Sequence, residues 1–402
     1  MGKALIMIDK AKGPPTSHPQ PAWDKFRLSD RFNIRYGRSN PGGSGSVPVI
    51  GSSGIFAWTS QPLITHPTIV IGRKGTAGKP WLIKSPSYPS DTTFYLEPRE
   101  GANIDLDFLY YALSYSKPEA SDDVIPSLQR HHLEALELPL PPPTECCVIV
   151  ALLSKIQAAA ETQRKIVATL KELKAATMAK LFREGLRGKK ARQTEIGELP
   201  ENWETLPLGR HCRIIAGGTP PRDNPAYWNG AIPWVKTGEI NYHPIAETAE
   251  HITEHGLVNS SAKIIKKGAV LMAMYGQGVT RGRVATLEID AATNQACAAL
   301  IPDQKLDAGF LYAYCVFAYE RIRELGHGAN QKNLSADILK RMPIPVPTCL
   351  DEQREIAKFS KALDSKTRLA QARSKALEAL FSSTLHLLMT GQVRLKQEQI
   401  TR

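Results

Sequence analysis

Residues 138–144 read LPLPPPT and residues 342–348 read MPIPVPT, and each stretch runs straight into a long helix-like pattern. Proline lacks an N–H and disfavours helix in the residue before it. Both stretches therefore mark the end of a globular region and fix where a helix starts. Proline-rich segments also serve as ligands for SH3-type domains, but a ligand motif has no reason to recur at the head of each helix. The recurrence points to an internal duplication.

The rest of the chain repeats in the same order. Trp23–Leu28 (WDKFRL) answers Trp203–Leu208 (WETLPL), and each continues to an Ile and a Gly: Ile34 and Gly37, then Ile214 and Gly217. Val47-Pro48 answers Ile232-Pro233. PTIVIGRKGTAGK (67–79) answers KGAVLMAMYGQGVTRGR (267–283), in both cases a short apolar run followed by a Gly-rich loop with basic residues. DLDFLY (105–110) answers DAGFLY (307–312). Within each half the short apolar runs and frequent Gly and Pro read as strands joined by turns, with a helix near the FLY segment.

The stretch after each proline run carries apolar residues at alternating steps of three and four, the spacing of a coiled-coil seam. The first stripe runs Ile149, Leu152/Leu153, Ile156, Ala159/Ala160, Ile166/Val167, Leu170, Leu173, Thr177, Leu181. The second runs Ile356, Phe359, Leu363, Ala370, Leu377, Leu380, Leu387/Leu388. Two such stripes in one chain satisfy each other. The Gly-punctuated connection LFREGLRGKKARQTEIGELPENW (181–203) is long enough to turn back, so the pairing is expected to be antiparallel. About 35 paired residues would make a rod of roughly 50 Å. The expected fold class is α+β: two β-rich globular domains separated by two long helices pairing as an antiparallel coiled coil, a pseudo-twofold internal repeat.

The 402 residues allow two or three domains, each large enough for its own core. A net charge of +12 favours a polyanionic partner, since Lys and Arg neutralise phosphates and release counterions. Cys146, Cys147, Cys212, Cys297, Cys315 and Cys349 form no C-x-x-C pair, so zinc-ligand spacing is absent and no metal is expected. Free thiols suit a reducing compartment. The apolar run near the N-terminus is shorter than a signal peptide needs, and no run approaches the roughly 20 residues of a membrane span. A cytoplasmic location with no membrane partner is the expectation.

With these residues in place, the chain resembles the DNA-specificity subunits of type I restriction-modification systems over nearly its whole length. The resemblance is carried by IAGGTPPRDNPAYWNGAIPWVKTGEI (215–240), VIGSSGIF (49–56), TIVIGRKGTAG (68–78) and PVPTCLDEQREIAKFSKALD (345–364). It implies a first target-recognition domain (1–140), a central spacer helix and linker (141–190), a second target-recognition domain (191–344), and a C-terminal spacer helix and tail (345–402). Each domain would read half of a bipartite double-stranded DNA site. The helices would set the gap and carry two methyltransferase subunits, with motor-nuclease subunits completing the complex. The chain itself would be no enzyme and hold no cofactor. S-adenosylmethionine, ATP and Mg would serve the partners. One departure stands out: Glu352-Gln353-Arg354 fits the family, whereas the matching positions of the first copy are Glu145-Cys146-Cys147.

Recognition needs donors and acceptors at groove edges, with cations on phosphates nearby. The candidates are Arg73, Lys74 and Lys79 in the first Gly-rich loop, and Tyr275, Gln277, Arg281 and Arg283 in the second. Ser52 and Lys236 occupy matching turns, and Asn330 and Lys332 lie in a polar stretch, ANQKN, that can also reach bases. The bland reading of each is a solvated turn. GRKGTAGKP is no phosphate loop: Arg73 stands where a Walker sequence needs Gly, and Pro80 where it needs Ser or Thr. Asn224-Pro-Ala-Tyr227 departs from the N-P-P-Y of adenine methyltransferases at Ala226, and no cofactor loop precedes it. It reads instead as a turn carrying Tyr227 and Trp228 into the core. The competing functions are a stand-alone DNA adenine methyltransferase, which lacks its motifs here, and a coiled-coil scaffold whose β-rich domains bind proteins.

Overall fold

The computed structural model describes residues 23–118, 126–276, 279–326 and 333–395. The architecture is α+β, and the chain divides into two compact units. The first comprises residues 1–163 and 372–402, the second residues 164–371. Both long helices, Pro143–Glu184 and Leu350–Met389, run through both units, so each unit owns one part of each helix.

In the first unit, a four-stranded antiparallel sheet has the order Phe32–Tyr36, Thr93–Pro98, Thr68–Gly72, Pro80–Ile83. A three-stranded sheet has Val47–Gly51 at its centre, antiparallel to Gly54–Thr59 and parallel to Tyr88–Pro89. The second unit repeats this order strand for strand. Its four-stranded sheet runs Cys212–Ala216, Cys297–Pro302, Val270–Ala273, Val284–Thr286. Trp228–Val235 is the centre of its three-stranded sheet, antiparallel to Glu250–Ile252 and parallel to Ala292–Thr293. Each copy places one helix after these strands, Leu106–Ser116 and Ala308–Phe317, capped by Asp105 and Asp307 through the N–H of Phe108 and Phe310. The duplication legible in the sequence is thus a duplication of topology.

The proline stretches are more than hinges. Glu137–Leu140 pairs antiparallel with Asp24–Arg27, and Pro343–Pro347 pairs with Trp203–Pro207. In each copy a strand near the end of the domain therefore clasps one near its start. Alternation makes this possible. In an antiparallel pair only every second residue exchanges hydrogen bonds with its partner. Pro343, Pro345 and Pro347 take the positions that exchange none, leaving Ile344 opposite Leu206 and Val346 opposite Glu204 to bond. The outer edge is then left without N–H donors, which blocks a further strand. The sequence rules demote a proline-bearing run from strand, which is why the reading stopped at a joint.

Each glutamate at the head of a long helix fastens the clasp to that helix. Trp23 Nε1 donates to Glu145 Oε2 at 3.1 Å, and Trp203 Nε1 donates to Glu352 Oε2 at 3.3 Å. The same carboxylates catch the chain just past the C-terminal end of the other helix. Leu395 N–H donates to Glu145 Oε1 at 3.0 Å, and Leu186 N–H donates to Glu352 Oε1 at 3.0 Å. Arg394 adds a bidentate pair to Glu145, with Nε and Nη2 each at 2.8 Å.

The helices run antiparallel within each unit. In the second, residues 186 and 174 meet residues 352 and 364, numbers rising on one helix as they fall on the other. In the first, Tyr111 bonds Gln157 on one helix and packs against Phe381 on the other, while Leu385, Leu388 and Met389 share a core with Ile149 and Leu153. The second core encloses Phe182 among Trp203, Phe310 and Tyr314, with Ile356 alongside.

The seam itself departs from the stripe read in the sequence. On the first helix the residues withdrawn from solvent at mid-length are Gln163, Val167, Leu170, Lys174 and Thr177. On the second they are Gln353, Ile356, Ser360, Leu363, Thr367, Ala370, Ser374, Leu377 and Phe381. Steps of three and four persist, but Ile166, Leu173, Phe359, Leu380 and Leu387, counted on the stripe, are exposed. Small and polar side chains hold the seam, with Lys174 paired to Asp364 at 2.6 Å, so apolarity alone misplaces it. An 18-residue window of the first helix reaches a mean hydropathy of 1.3, enough by length and composition for a membrane span, contrary to the expectation that no such run exists. Its Ile149 and Leu153 are instead buried in the first unit's core.

Burial pushes the Glu145 carboxyl upward, but Arg394, the Leu395 N–H and Trp23 outweigh it and hold the group below its ordinary value. A depressed folded value contributes stability that is complete above the unfolded carboxylate range and disappears as pH falls through the folded value. Glu145→Gln should therefore destabilise the first unit by about 2 kcal/mol at neutral pH. The gap to the unsubstituted chain, read from urea midpoints, should close on acidification below about pH 4. A gap that stays constant with pH would refute this role.

Candidate nucleic-acid interface

The first Gly-rich loop spans the turn between Thr68–Gly72 and Pro80–Ile83. Its path is set by backbone bonds. Gly72 N–H donates to the Lys79 carbonyl at 3.0 Å, and Gly78 N–H to the Gly72 carbonyl at 2.9 Å. Arg73 N–H donates to Thr92 O at 2.8 Å, and the Arg73 carbonyl accepts from Leu128 N–H at 2.8 Å. A Cβ on Gly72 would lie 2.2 Å from the Thr76 carbonyl oxygen, and Gly75 holds a left-handed φ of 75°, so both positions require glycine.

Around this loop the structure gathers Ser52, Arg73, Lys74 and Lys79. Thr92 Oγ1 accepts from Ser52 N–H at 3.3 Å while its carbonyl holds Arg73, so one residue joins the serine turn to the loop. Ser53 and Thr76 hydroxyls meet at 3.2 Å. The Arg73 guanidinium lies 5.3 Å from the Tyr36 ring centre, and the Lys79 ammonium 4.1 Å from that of Trp81. Lys74 is exposed. Cations held over aromatic faces keep their charge and part of their surface available while losing rotamer freedom in advance. The arrangement suits recognition of a phosphodiester backbone and base edges.

The second unit builds the same frame with other side chains. Met274 N–H donates to the Ala296 carbonyl at 2.8 Å, and Leu334 N–H donates to the Met274 carbonyl at 3.0 Å, matching the bonds of Arg73. Tyr275 thereby takes the place of Lys74 and is exposed. Arg283 reaches Asn241 Oδ1 at 2.8 Å and lies 5.9 Å from the Tyr242 ring centre. Burial, its largest cause, pushes the Tyr242 phenol up to about 12, so it stays a neutral donor. Arg281 is only 8% exposed. Lys236 is engaged by Glu250 at 2.7 Å, and Arg222 bonds the same carboxylate at 2.6 Å. The hydrogen bond from Lys236 is the largest influence on the Glu250 carboxyl, which is held below its ordinary value. Gln277, Asn330 and Lys332 lie outside the described residues.

Several members of these clusters escaped the sequence reading. Tyr36, Trp81 and Thr92 have no local signal, because only the sheet pairing brings them to the loop. Arg222 stacks on Trp228 at 3.8 Å, and an arginine six residues before a tryptophan in a Gly/Pro-rich stretch was the available cue. The Asn224-capped turn Pro225–Tyr227 forms as expected, yet Tyr227 and Trp228 stop half-buried, and Trp234 is the fully buried member of the Trp pair. Among the described residues no cluster of His, Cys, Asp and Glu has the makings of a metal site.

The model for the type I restriction modification DNA specificity domain matches residues 21–179 and again residues 200–379. The type I restriction enzyme MjaVIII specificity subunit of Methanocaldococcus jannaschii is 26% identical over 320 residues, which span 76% of this chain and 74% of that one. A second chain of that organism, provisionally named the type I restriction enzyme MjaX specificity subunit, is 28% identical over 278 residues. That match covers 67% of this chain and 62% of the relative, so just under two thirds of its length is spanned. The crystal structure of a type I restriction-modification S subunit from M. genitalium shares the fold, with a TM-score of 0.67 at 17% identity, over 93% of this chain and 98% of that one.

Gly72→Ala should force the 73–79 loop off its path, costing about 2 kcal/mol and raising hydrogen exchange at the backbone amides of positions 72 and 78. Unchanged exchange at both amides would show that the loop tolerates a Cβ.

Proposed function

The chain belongs to the family of type I restriction-modification DNA specificity domains, present here in two copies, and from that premise we propose how it divides its labour. The chain is a DNA sequence-recognition subunit. Each β-rich unit reads one half of a bipartite duplex target through its Gly-rich loop and the turn beside it. The observation that carries this reading is the identical backbone frame around Arg73 and Met274, dressed with different side chains in the two copies. A common frame with different readers is what two half-sites of different sequence require. Phosphate contacts by Arg73, Lys74 and Lys79 in one copy and Arg283 in the other would position the duplex, and base edges would be met by Ser52 and Tyr275.

The long helices serve as spacer and platform. Ile166, Leu173, Phe359, Leu369 and Leu380 stand 39–53% exposed on them. Monomeric helices rarely leave so many large apolar side chains in water, and two methyltransferase subunits would cover them. Methyl transfer from S-adenosylmethionine and cleavage driven by ATP and Mg then belong to those subunits and to the motor-nuclease subunits.

Replacing residues 1–140 by the first domain of another family member should change one half-site of the methylated sequence and leave the other intact, as read by methylation-sensitive sequencing. A simultaneous change in both half-sites would refute the division of labour. Deleting one heptad from each helix removes about 10 Å of spacer, or about three base pairs of duplex. The gap between half-sites should shorten accordingly with both half-sites unaltered, and an unchanged gap would end the spacer reading.

A further inference from the structure

The first unit carries an apolar feature that the basic loop does not explain. Strand Gly54–Thr59 is the edge of its sheet, and Ile55, Phe56 and Trp58 on it are 55%, 58% and 52% exposed. Its pairing with Val47–Gly51 is irregular: Ile50 faces Ile55 while Val49 faces Ala57, so Phe56 is one residue more than the ladder accommodates. Such a bulge breaks the in–out alternation and re-aims the side chain it carries. Two successive apolar residues, Ile55 and Phe56, consequently face solvent.

The bulge aims Phe56 at the candidate interface. A Cβ on Gly51 would touch the Phe56 ring at 3.0 Å and Thr92 Oγ1 at 3.6 Å. Thr92 is the residue that joins the Ser52 turn to Arg73. On the other side of that turn, Trp81 donates to the Ser52 carbonyl at 3.4 Å and carries Lys79 over its ring. Phe56 therefore adjoins a rim of hydroxyls and cations, and Trp58 continues the apolar strip along the strand.

The second unit treats the corresponding strand differently. Pro48 faces Trp58, and the matching Pro233 faces His251. Beside His251, Glu250 is clamped by Lys236 and Arg222, and Arg222 covers Trp228. Polar groups and ion pairs replace the bare aromatics.

We infer that Phe56, with Trp58 behind it, makes the apolar base contact of the first unit with duplex DNA and helps determine the sequence of that half-site. This rests on the functional reading above. An aromatic ring beside phosphate-binding cations can pack on a thymine methyl or wedge between base steps, and both depend on sequence. Cations fix the duplex, while the ring discriminates.

The test uses the specificity subunit assembled with its methyltransferase subunits and duplexes carrying the complete target or a mismatch in either half. Phe56→Ala should weaken binding to the complete target roughly 10-fold, about the effect of one mismatched base pair. Discrimination should be lost at one half-site only, and Trp58→Ala should act in the same direction. Because the ring neutralises no phosphate, the slope of log affinity against log salt should not change. Arg73→Ala with Lys79→Ala should lower that slope by up to about two. Thermal midpoints should stay within a degree or two, as both aromatics are exposed. Undiminished discrimination in Phe56→Ala overturns the inference. So does weakened methyltransferase assembly with unaltered discrimination by the complex that remains, which would make the strip a protein interface. If the unsubstituted complex selects no two-part sequence, the functional reading itself fails, and the inference falls with it.

Discussion

One carboxylate in each half ties together three parts of the chain that are far apart in sequence. Glu145 binds the indole of Trp23 at the start of its domain, stands at the head of its own helix, and catches Arg394 and Leu395 beyond the end of the other helix. Glu352 does the same with Trp203 and Leu186. A carboxylate withdrawn from water is costly unless its lone pairs are used, and the cost is greater at the buried Glu145 than at the half-buried Glu352, so both sites favour one geometry. The clasped strands, the helix start and the antiparallel crossing all meet at that point. A shift of one helix along the other would strand the charge, and so the register of the helices is coupled to the seating of the domain.

The two copies meet this constraint with unequal means. In the second, Gln353 is 1% exposed and makes three further bonds: it accepts from Asp307 N–H and donates to the carbonyls of Lys305 and Pro347. In the first, Cys146 occupies the corresponding place and offers only a long thiol contact to Pro141 O at 3.5 Å. Burial, the largest influence, pushes the Cys146 thiol up to about 11, so it acts as a small apolar group and not as a thiolate. The bidentate Arg394 pair is the compensation: bonds lost beside the glutamate are replaced by bonds to the glutamate.

The duplication was legible because it rests on punctuation, and Pro, Gly and Trp impose local geometry wherever they fall. That the proline runs are strands was not, since the ladder tolerates Pro343, Pro345 and Pro347 only through pairing with a segment 140 residues away (Pro347 opposite Trp203, Pro343 opposite Pro207). The helix seam was misplaced for a related reason. Ser360, Thr367 and Ser374 are withdrawn from water by tertiary packing, and no single-residue property announces it. The basic and glycine residues of the first loop were found by composition, and the structure gathers them around one rim. Arg281 shows the limit: its sequence context resembles that of Arg283, yet tertiary packing buries one and leaves the other half-open. Phe56 was invisible because a bulge is a property of two strands and not of one.

The two copies share a backbone frame while differing in the side chains that dress it. The bonds that shape each loop are made by backbone atoms: Arg73 and Met274 differ in every side-chain property but donate and accept through the same peptide groups. Glycine is required only where a neighbouring backbone group lies within reach of a Cβ or φ turns positive, as at Gly72 and Gly75. The remaining positions around the rim carry no weight in the core. Lys74 in one copy and Tyr275 in the other hold the same backbone place, one an exposed cation and the other an exposed phenol. Substitution at such exposed positions costs little stability, whereas substitution at Trp23, Glu145 or the proline ladder disturbs the bonds that seat the domain on its helix.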